Sequence, residues 1–219
     1  MSDSRRVVVV ARTGLTAKSR LAGVLTPDER AGLARAMLAD VLAVCVQVDS
    51  TPIVVTDSFE GDRGALAAGA MLVGDPGDGM NGAVTAGVRA ALEGGLETVL
   101  VVAGDLPLLK GEDLAALREA ASGRGRAVVI CLDRHGTGTN ALLLRPPTVI
   151  APSFGRDSAR RHAAAAATAG AVTIDLRLPN VAMDIDEPAD LANLLVEKRT
   201  GATGRFLTCL SGSRSLPGG

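Results

Sequence analysis

Three aspartates in this sequence are placed so that their carboxylates could bind a metal ion together. Asp105 ends the apolar segment of "VVAGDLPLL", and Pro107 prevents that segment from continuing as a central strand. Asp184 and Asp186 alternate in "AMDIDEPADL", so their side chains point to the same side of an extended segment. Such carboxylate sites suit Mg²⁺. An aspartate after a strand also forms turns, and Asp186 is placed to cap the helix that follows it.

A loop of small residues after the first apolar segment carries three cations. "ARTGLTAKSRL" contains Arg12, Lys18 and Arg20, and each of these side chains could donate to the oxygens of a triphosphate. The loop lacks the spacing of a Walker phosphate-binding loop. A solvated basic loop explains the same residues, and the local sequence taken alone favours that explanation.

Two further segments could bind an anion through hydroxyl and backbone N–H groups. In "DRHGTGTNALLL" the pattern G-x-G-x-x-A is followed by an apolar strand and not by a helix, which excludes a dinucleotide site. Thr137 and Thr139 would instead line a turn over an anionic ligand, or lie in a plain hairpin. In "PSFGRDSARRHAAAA" an alanine-rich helix follows Gly155, Asp157 and Ser158. Its first N–H groups either bind an anion or are capped by Asp157 or Ser158.

These residues depend on a regular alternation of short apolar segments and helical segments. Strands are predicted over Arg5–Ala11, Pro52–Thr56, Thr98–Gly104, Ala127–Asp133 and Ala171–Leu176. Helices are predicted after the N-cap Thr26, over residues 81–95, 112–123 and 159–170, and from Glu187 and Pro188 onwards. The alternation is typical of an α/β protein whose parallel sheet is covered by helices on both faces.

In open α/β sheets, ligands bind beyond the carboxyl ends of the strands. The polar residues that the sequence puts at those ends are Arg12, Asp57, Asp105, Asp133 and Asp175. We therefore expect one site at this edge of the sheet, built from several strand ends.

The composition limits the class of protein and its partners. The 219 residues suffice for one domain, which we expect over 1–199, followed by a loosely held Gly- and Ser-rich tail over 200–219 in which "RFLTCL" could add an edge strand. A formal net charge of −1, without Trp or Tyr, argues against nucleic acid as a partner. The apolar runs are too short to cross a membrane.

The few cysteines and histidines limit the chemistry. Cys45, Cys131 and Cys209 are far apart and odd in number, which predicts small buried side chains in a reduced cytoplasm. The two histidines, His135 and His162, leave few groups for acid–base catalysis. If the chain is an enzyme, we expect a reaction that needs little proton transfer from side chains.

Six motifs occur here in the order found in one enzyme family. They are "KSRL", "MNGA", "GDLPLL", "GTGTNALL", "PSFGRDSARRH" and "DIDEPADL", and together they resemble the guanylyltransferases of coenzyme F-420 biosynthesis over about residues 6–196. "GDLP" alone is shared by many nucleotidyltransferases, whereas its combination with "GTGTN" and "FGxDSxxxH" is far more specific. The resemblance implies a single-domain, three-layer Rossmann-like nucleotidyltransferase fold of the GT-A-like type, with a mostly parallel sheet.

By this resemblance the chain would join GTP to a phosphorylated three-carbon acid and release pyrophosphate. The composition, rich in Ala, Gly and Arg, suggests a GC-rich bacterial gene, and bacterial members of the family tend to use phosphoenolpyruvate. The alternative acid is 2-phospho-L-lactate. The attacking phosphate has a second pKa of about 6, so it is ionised near pH 7 and needs no general base. Whether the chain forms a homodimer stays open.

The same resemblance implies a metal site and an acid site. Mg²⁺ would be held by Asp105 and Asp184, with Asp186 close by. The carboxylate and phosphate of the acid would be bound by Thr139, Gly155 and Ser158.

It also implies a nucleotide site. The triphosphate would contact Lys18 and Arg20, which complete the predicted catalytic set with Asp105, and Asn81 would lie near the nucleotide. Arg12 stands where the family pattern leads us to expect a lysine. Arginine and lysine bind phosphate with different geometry, so Arg12 would contact the nucleotide differently from that lysine.

Three alternative functions remain open at this point. Another nucleotidyltransferase of the same fold could act on a molybdenum cofactor or a sugar phosphate. "DID" is also the D-x-D pattern of nucleotide-sugar glycosyltransferases, although its position near the chain's end leaves no room for their acceptor region. A non-catalytic nucleotide-binding domain is the third, and the combination of Asp105, Asp184 and Lys18 argues against it.

Overall fold

The computed structural model describes residues 5–197 and 200–213. Its seven strands are β1 (Arg5–Ala11), β2 (Ile53–Thr56), β3 (Met71–Gly74), β4 (Thr98–Ala103), β5 (Ala127–Leu132), β6 (Thr139–Arg145) and β7 (Val172–Leu176). Its helices are α1 (Pro27–Cys45), α2 (Arg63–Ala67), α3 (Met80–Leu92), α4 (Gly111–Ala121), α5 (Ser158–Thr168), α6 (Pro179–Ala182), α7 (Pro188–Glu197) and α8 (Gly201–Ser213).

The strands form a single sheet in the order β3-β2-β1-β4-β6-β5-β7. Strand β6 runs antiparallel to both of its neighbours, and the other strand pairs are parallel. The predicted mostly parallel α/β sheet is therefore confirmed. Because β6 is reversed, its first residue, Thr139, lies at the same edge as the carboxyl ends of the other strands.

Helices cover both faces of the sheet, which accounts for the continuous apolar segments. Along β1, Val7 and Val9 pack on the face that carries α1 and α4, whereas Val8 and Val10 pack on the face that carries α3 and α5. All four valines are buried. An apolar side chain on either face is removed from water, so such a strand shows no alternation of polar and apolar residues.

Helix α8 corrects the expectation for the end of the chain. The Asp40 carboxylate accepts hydrogen bonds from the N–H groups of Ala202 (2.7 Å) and Thr203 (3.0 Å). Phe206 packs over Gly32 of α1, where a Cβ would lie 2.6 Å from the ring. The predicted edge strand is therefore wrong. The predicted tail over 200–219 includes a packed helix, and its residues 214–219 lie outside the described part.

Strand β3, with the sequence "MLVG", was missed; it lies at the edge of the sheet, and its side chains are partly or largely exposed. The cysteine prediction holds for Cys45 and Cys131, which are buried free thiols, and is wrong for Cys209, which is exposed on α8. Burial raises the pKa of Cys45 to about 12 and that of Cys131 to about 11.

Within the described residues, none of the helices has the length and apolar character that a bilayer crossing requires.

The close contact of α3 with the sheet depends on a glycine, and this gives the first prediction. A Cβ at Gly87 would lie 2.4 Å from a Val8 methyl group and 2.8 Å from a Val55 methyl group. We expect Gly87→Ala to lower the free energy of unfolding by about 1–3 kcal/mol, measured by urea denaturation. Gly64→Ala in α2 is the matched control, because a Cβ there meets no atom within 4 Å. Equal stability of the two variants would contradict the predicted contact.

Candidate active site

The cationic loop after β1 is fixed by two aspartates. One Asp57 carboxylate oxygen accepts the N–H groups of Thr13 (2.9 Å) and Gly14 (3.2 Å). The buried Asp62 accepts a hydrogen bond from the Thr13 hydroxyl (2.8 Å) and another from the hydroxyl of Thr56. Asp57, a predicted ligand position at a strand end, therefore holds the loop in place.

A buried arginine holds the far side of this loop. The Arg30 guanidinium donates to the carbonyl oxygens of Leu15 (3.2 Å), Ala17 (3.0 Å) and Leu25 (3.1 Å). Between these carbonyls, Lys18 has the left-handed backbone conformation, with φ 50° and ψ 44°. Such a conformation is uncommon for a residue other than glycine and persists only where the surroundings impose it.

The Lys18 ammonium lies between two of the predicted metal ligands. Its Nζ is 2.5 Å from Asp105 Oδ2 and 2.9 Å from Asp186 Oδ1. Burial would lower the pKa of Lys18, but the two carboxylates outweigh this effect and raise it. Arg20 approaches the other oxygen of Asp186 at 3.5 Å and is largely exposed. The four residues therefore lie together, with Lys18 charged at neutral pH.

Asp184 completes a group of three carboxylates. Asn140 donates to Asp184 Oδ1 (3.2 Å) and to the carbonyl of Val181 (2.9 Å). Burial and the negative charge of Asp105 raise the pKa of Asp184, and the hydrogen bond from Asn140 opposes that rise. Asp184 and Asp105 are thus close enough to repel each other.

The donor set is compatible with Mg²⁺ bound by few protein ligands. Among the described residues, no group of three or more His, Cys, Asp or Glu side chains is arranged to hold a metal ion by itself. Mg²⁺ commonly binds one or two carboxylates and takes its other ligands from substrate phosphates and water. The mutual repulsion of Asp105 and Asp184, with Lys18 balancing Asp105 and Asp186, is compatible with a cation that takes part of its ligands from outside the protein.

The segment that carries Asp184 and Asp186 is anchored at the start of α7. Asp190 accepts hydrogen bonds from the N–H groups of Asp186 (3.0 Å) and Glu187 (2.8 Å). Its carboxylate also pairs with both terminal nitrogens of Arg134. Burial would raise the pKa of Asp190, but Arg134 and the two N–H groups lower it to about 2. Asp190 thus takes the capping role predicted for Asp186, whose carboxylate faces Lys18.

The predicted acid-binding residues also come together, on the other side of β4. The Ser158 hydroxyl lies 3.0 Å from the Thr139 hydroxyl, and the ring of His162 lies 3.2 Å from the same Thr139 oxygen. Gly155, in the preceding loop, has φ 106°, and Asp157 at the start of α5 has φ 53°. Among the described residues other than glycine, Lys18 and Asp157 alone have positive φ, and each lies in a predicted binding loop.

Asn81 holds the loop that contains Gly155, one of the predicted acid-binding residues. Its Oδ1 accepts the N–H of Phe154 (2.6 Å), and its Nδ2 donates to the Phe154 carbonyl (3.3 Å). Both polar atoms of the side chain are therefore occupied by the loop next to Gly155. Its predicted contact with the nucleotide stays a prediction.

A cleft of about 470 Å³ opens at the carboxyl edge of the sheet. Its lining includes Arg12, Lys18, Asp75, Gly79, Met80, Asp105 and Asp186. Arg12 is 58% exposed, and its Nε lies 3.8 Å from the carboxylate of Asp75. Adjacent residues of β6 contact the two predicted sites. Asn140 bonds to Asp184 of the predicted metal site, and Thr139 bonds to Ser158 of the predicted acid site.

Several functional residues were missed by sequence reasoning. They are Arg30, Asn140, Arg134, Asp190 and the role of His162. The signal for Asn140 was its place beside Thr139 in "GTGTNALL", and that for Asp190 was its place in the first turn after Pro188. The partners of Arg30 and Arg134 are backbone or distant in sequence, so no local pattern identifies them.

Comparison with known proteins identifies relatives along almost the whole chain. The family model described as "Guanylyl transferase CofC like" matches residues 5–214. The phosphoenolpyruvate guanylyltransferase of Sphaerobacter thermophilus is 41% identical over 200 residues, which cover 90% of this chain and 95% of that protein. The phosphoenolpyruvate guanylyltransferase of Conexibacter woesei is 42% identical over 192 residues, covering 85% of this chain and 86% of that protein.

A solved structure supports the fold. A protein described as a nucleotide-diphospho-sugar transferase from Desulfovibrio desulfuricans superposes with a TM-score of 0.74. The alignment covers 97% of this chain and 96% of that one, with 17% sequence identity. At this identity the likeness shows the shared fold, and it confirms the predicted nucleotidyltransferase-like architecture.

The Arg134–Asp190 pair gives the second prediction. We expect Asp190→Asn to lower the free energy of unfolding by about 3 kcal/mol, because it leaves a partly buried guanidinium without its counter-charge. The control is Glu60→Gln, which removes an exposed ion pair with Arg63 and should change stability by less than about 1 kcal/mol. Urea denaturation at pH 7 measures both variants. Equal, small losses would show that Asp190 does not anchor the segment.

Proposed function

This chain belongs to the family of CofC-like guanylyl transferases, and we propose that it transfers the guanylyl group of GTP to phosphoenolpyruvate, with release of pyrophosphate, in coenzyme F-420 biosynthesis. The observation that carries the proposal is the Lys18 ammonium held between Asp105 and Asp186 in an open cleft. The names of two relatives about 40% identical to the chain support the choice of acid.

The reaction forms one phosphorus–oxygen bond and breaks another. A phosphate oxygen of phosphoenolpyruvate attacks the α-phosphorus of GTP, and the bond from that phosphorus to the bridging oxygen of the β-phosphate breaks. Pyrophosphate leaves with the bonding electrons, and the product holds a new phosphate–phosphate anhydride. The attacking oxygen is ionised near pH 7, so no side chain has to remove a proton.

The chain's own residues then have to position the reactants and balance charge. The Lys18 ammonium is a buried, fixed cation, suited to phosphate oxygens on which charge builds up during transfer. Arg20 and Arg12 are exposed at the cleft and would bind the outer oxygens of the triphosphate. Fixed charges of this kind cost no reorganisation at the moment of reaction, which is why they favour the transition state.

We propose Mg²⁺ as the metal, held by Asp105 and Asp184 with Asp186 close by. When bound, the ion would neutralise phosphate charge and polarise the α-phosphorus. Asp105 would then have two neighbours of positive charge, the metal and Lys18. Asn140 orients Asp184 through its hydrogen bond of 3.2 Å.

The acid substrate would lie against Thr139, Ser158 and the backbone around Gly155. These groups supply hydroxyl and N–H donors without adding charge, which suits recognition of a carboxylate and a phosphate together. Asn81 fixes the position of this loop from α3. We also propose a cytoplasmic location, which the buried free thiols of Cys45 and Cys131 support.

Pyrophosphate release tests the reaction and its substrates. GTP or ATP would be mixed with Mg²⁺ and phosphoenolpyruvate, 2-phospho-L-lactate or 3-phosphoglycerate, each pair separately. We expect release with GTP and phosphoenolpyruvate and little with ATP. Pyrophosphate release with 2-phospho-L-lactate alone would show that this acid is the substrate. No release with any of the three acids would contradict the proposed function.

The proposed metal ligand gives the third prediction. We expect Asp105→Asn to reduce pyrophosphate release by at least about 100-fold, because it removes a charge from both the metal site and Lys18. Asp175→Asn is the control, since Asp175, although near the end of β7, is exposed and does not line the cleft. Circular dichroism verifies that both variants are folded. Full activity of a folded Asp105→Asn variant would exclude Asp105 from the site.

A further inference from the structure

A fully buried histidine lies behind the proposed acid site. His162 on α5 is 0% exposed, and one of its ring nitrogens, Nδ1, is 3.2 Å from the Thr139 hydroxyl. Its other nitrogen, Nε2, is 2.9 Å from the backbone N of Ser153. Thr139 in turn lies 3.0 Å from the Ser158 hydroxyl. These contacts form a continuous chain of hydrogen bonds from the backbone to both acid-binding hydroxyls.

The direction of this chain follows from its first member. A backbone N–H only donates, so Nε2 of His162 must accept from Ser153 and cannot carry a proton. Burial and the nearby charge of Arg161 lower the pKa of His162 to about 4, so the ring is neutral at pH 7. A neutral imidazole has one proton, which must therefore be on Nδ1. Nδ1–H donates to the oxygen of Thr139.

The Nδ1–H tautomer of His162 determines how many hydroxyl protons of Thr139 and Ser158 stay available to a ligand. Thr139 and Ser158 have one hydroxyl proton each, and one of these is used in the hydrogen bond between them. Because His162 donates, neither hydroxyl has to give its proton to the ring. One hydroxyl proton is left for a ligand, whichever way the bond between Thr139 and Ser158 runs. The opposite tautomer would use both protons and present a lone pair.

We propose that His162 is a positioning residue, whose Nδ1–H orients the Thr139 hydroxyl and leaves the Thr139–Ser158 pair a proton to donate to the anionic acid. The inference rests on the proposed function, in which this pair binds a carboxylate or phosphate. Both anions only accept hydrogen bonds, so a lone pair at this position would repel them. His162 thus acts through Thr139, without touching the acid.

The ring is held firmly enough for this role. Phe154 meets it edge-on, with ring centroids 5.0 Å apart. The backbone of Phe154 is bound at both its N–H and its carbonyl by Asn81. The ring therefore cannot turn without disturbing the loop that carries Gly155.

The fourth prediction is a selective loss of affinity for the acid. His162→Phe keeps an aromatic ring in the core and removes the donor. We expect its KM for phosphoenolpyruvate to rise about 3- to 10-fold, the effect of one lost neutral hydrogen bond, because the Thr139 hydroxyl loses the donor that fixes its orientation, with an unchanged KM for GTP. His162→Asn should restore much of the affinity, because its amide nitrogen occupies the position of Nδ1. His135→Phe is the matched control, since His135 is exposed.

A Thr139→Val background distinguishes a positioning role of His162 from a general loosening of the fold. In a Thr139→Val protein there is no hydroxyl to orient, so adding His162→Phe should raise the KM for the acid by less than about twofold. Additive losses, or equal rises in both KM values, would overturn the proposal. If His162→Phe does not fold, two-bond ¹H–¹⁵N correlation of the wild-type imidazole replaces it, because this spectrum shows which ring nitrogen carries the proton. A proton on Nε2 in that spectrum would overturn the proposal.

Calorimetric titration with phosphoenolpyruvate distinguishes this proposal from the proposed function. If the wild type binds the acid without releasing pyrophosphate from GTP, the proposed function fails. The loss of acid binding in His162→Phe, and its recovery in His162→Asn, would then still support the positioning role. If the wild type does not bind the acid at all, both proposals fail.

Discussion

The ion group formed by Lys18, Asp105 and Asp186 is the constraint on which the site depends. A buried ammonium is costly unless carboxylates surround it, and here two approach within 2.9 Å. The three residues come from three distant parts of the chain: the loop after β1, the end of β4 and the segment before α7. Each part must therefore be fixed in place before the charges balance, and the surrounding structure does this.

Each of these parts has its own anchor, made of backbone-directed hydrogen bonds. Asp57 and Arg30 hold the loop of Lys18, and Asp190 holds the segment of Asp186. Gly104 allows β4 to end tightly against β1, since a Cβ there would lie 2.7 Å from that of Ala11. The left-handed backbone of Lys18 is sustained by this set of anchors. Strain at such a position is characteristic of functional sites.

Reversal of one strand brings the proposed acid site next to the proposed nucleotide site. Because β6 is antiparallel, its first two residues lie at the carboxyl edge of the sheet, and adjacent side chains point to opposite faces. Thr139 therefore reaches Ser158 of α5, while Asn140 reaches Asp184. A shift of this strand would move both contacts together, so the two halves of the site are coupled through its register.

The sequence predicted this arrangement unevenly, for physical reasons. Strands buried on both faces are visible in the sequence as apolar runs. Because Asp105 follows such a run, its place at the carboxyl edge of the sheet could be predicted. The edge strand β3 has only the short apolar run "MLVG", which was missed. The apolar run in α8 was misleading, because the helix depends on Asp40 far away in sequence. His162 was identified within a motif, but its role depends on three hydrogen bonds that only the fold brings together.

The most direct test is ³¹P NMR of GTP, Mg²⁺ and phosphoenolpyruvate with the purified protein. The account predicts a pair of coupled signals from a new phosphate–phosphate anhydride, together with free pyrophosphate in equal amount. Unchanged GTP, or its conversion to GDP and inorganic phosphate, would contradict guanylyl transfer to this acid.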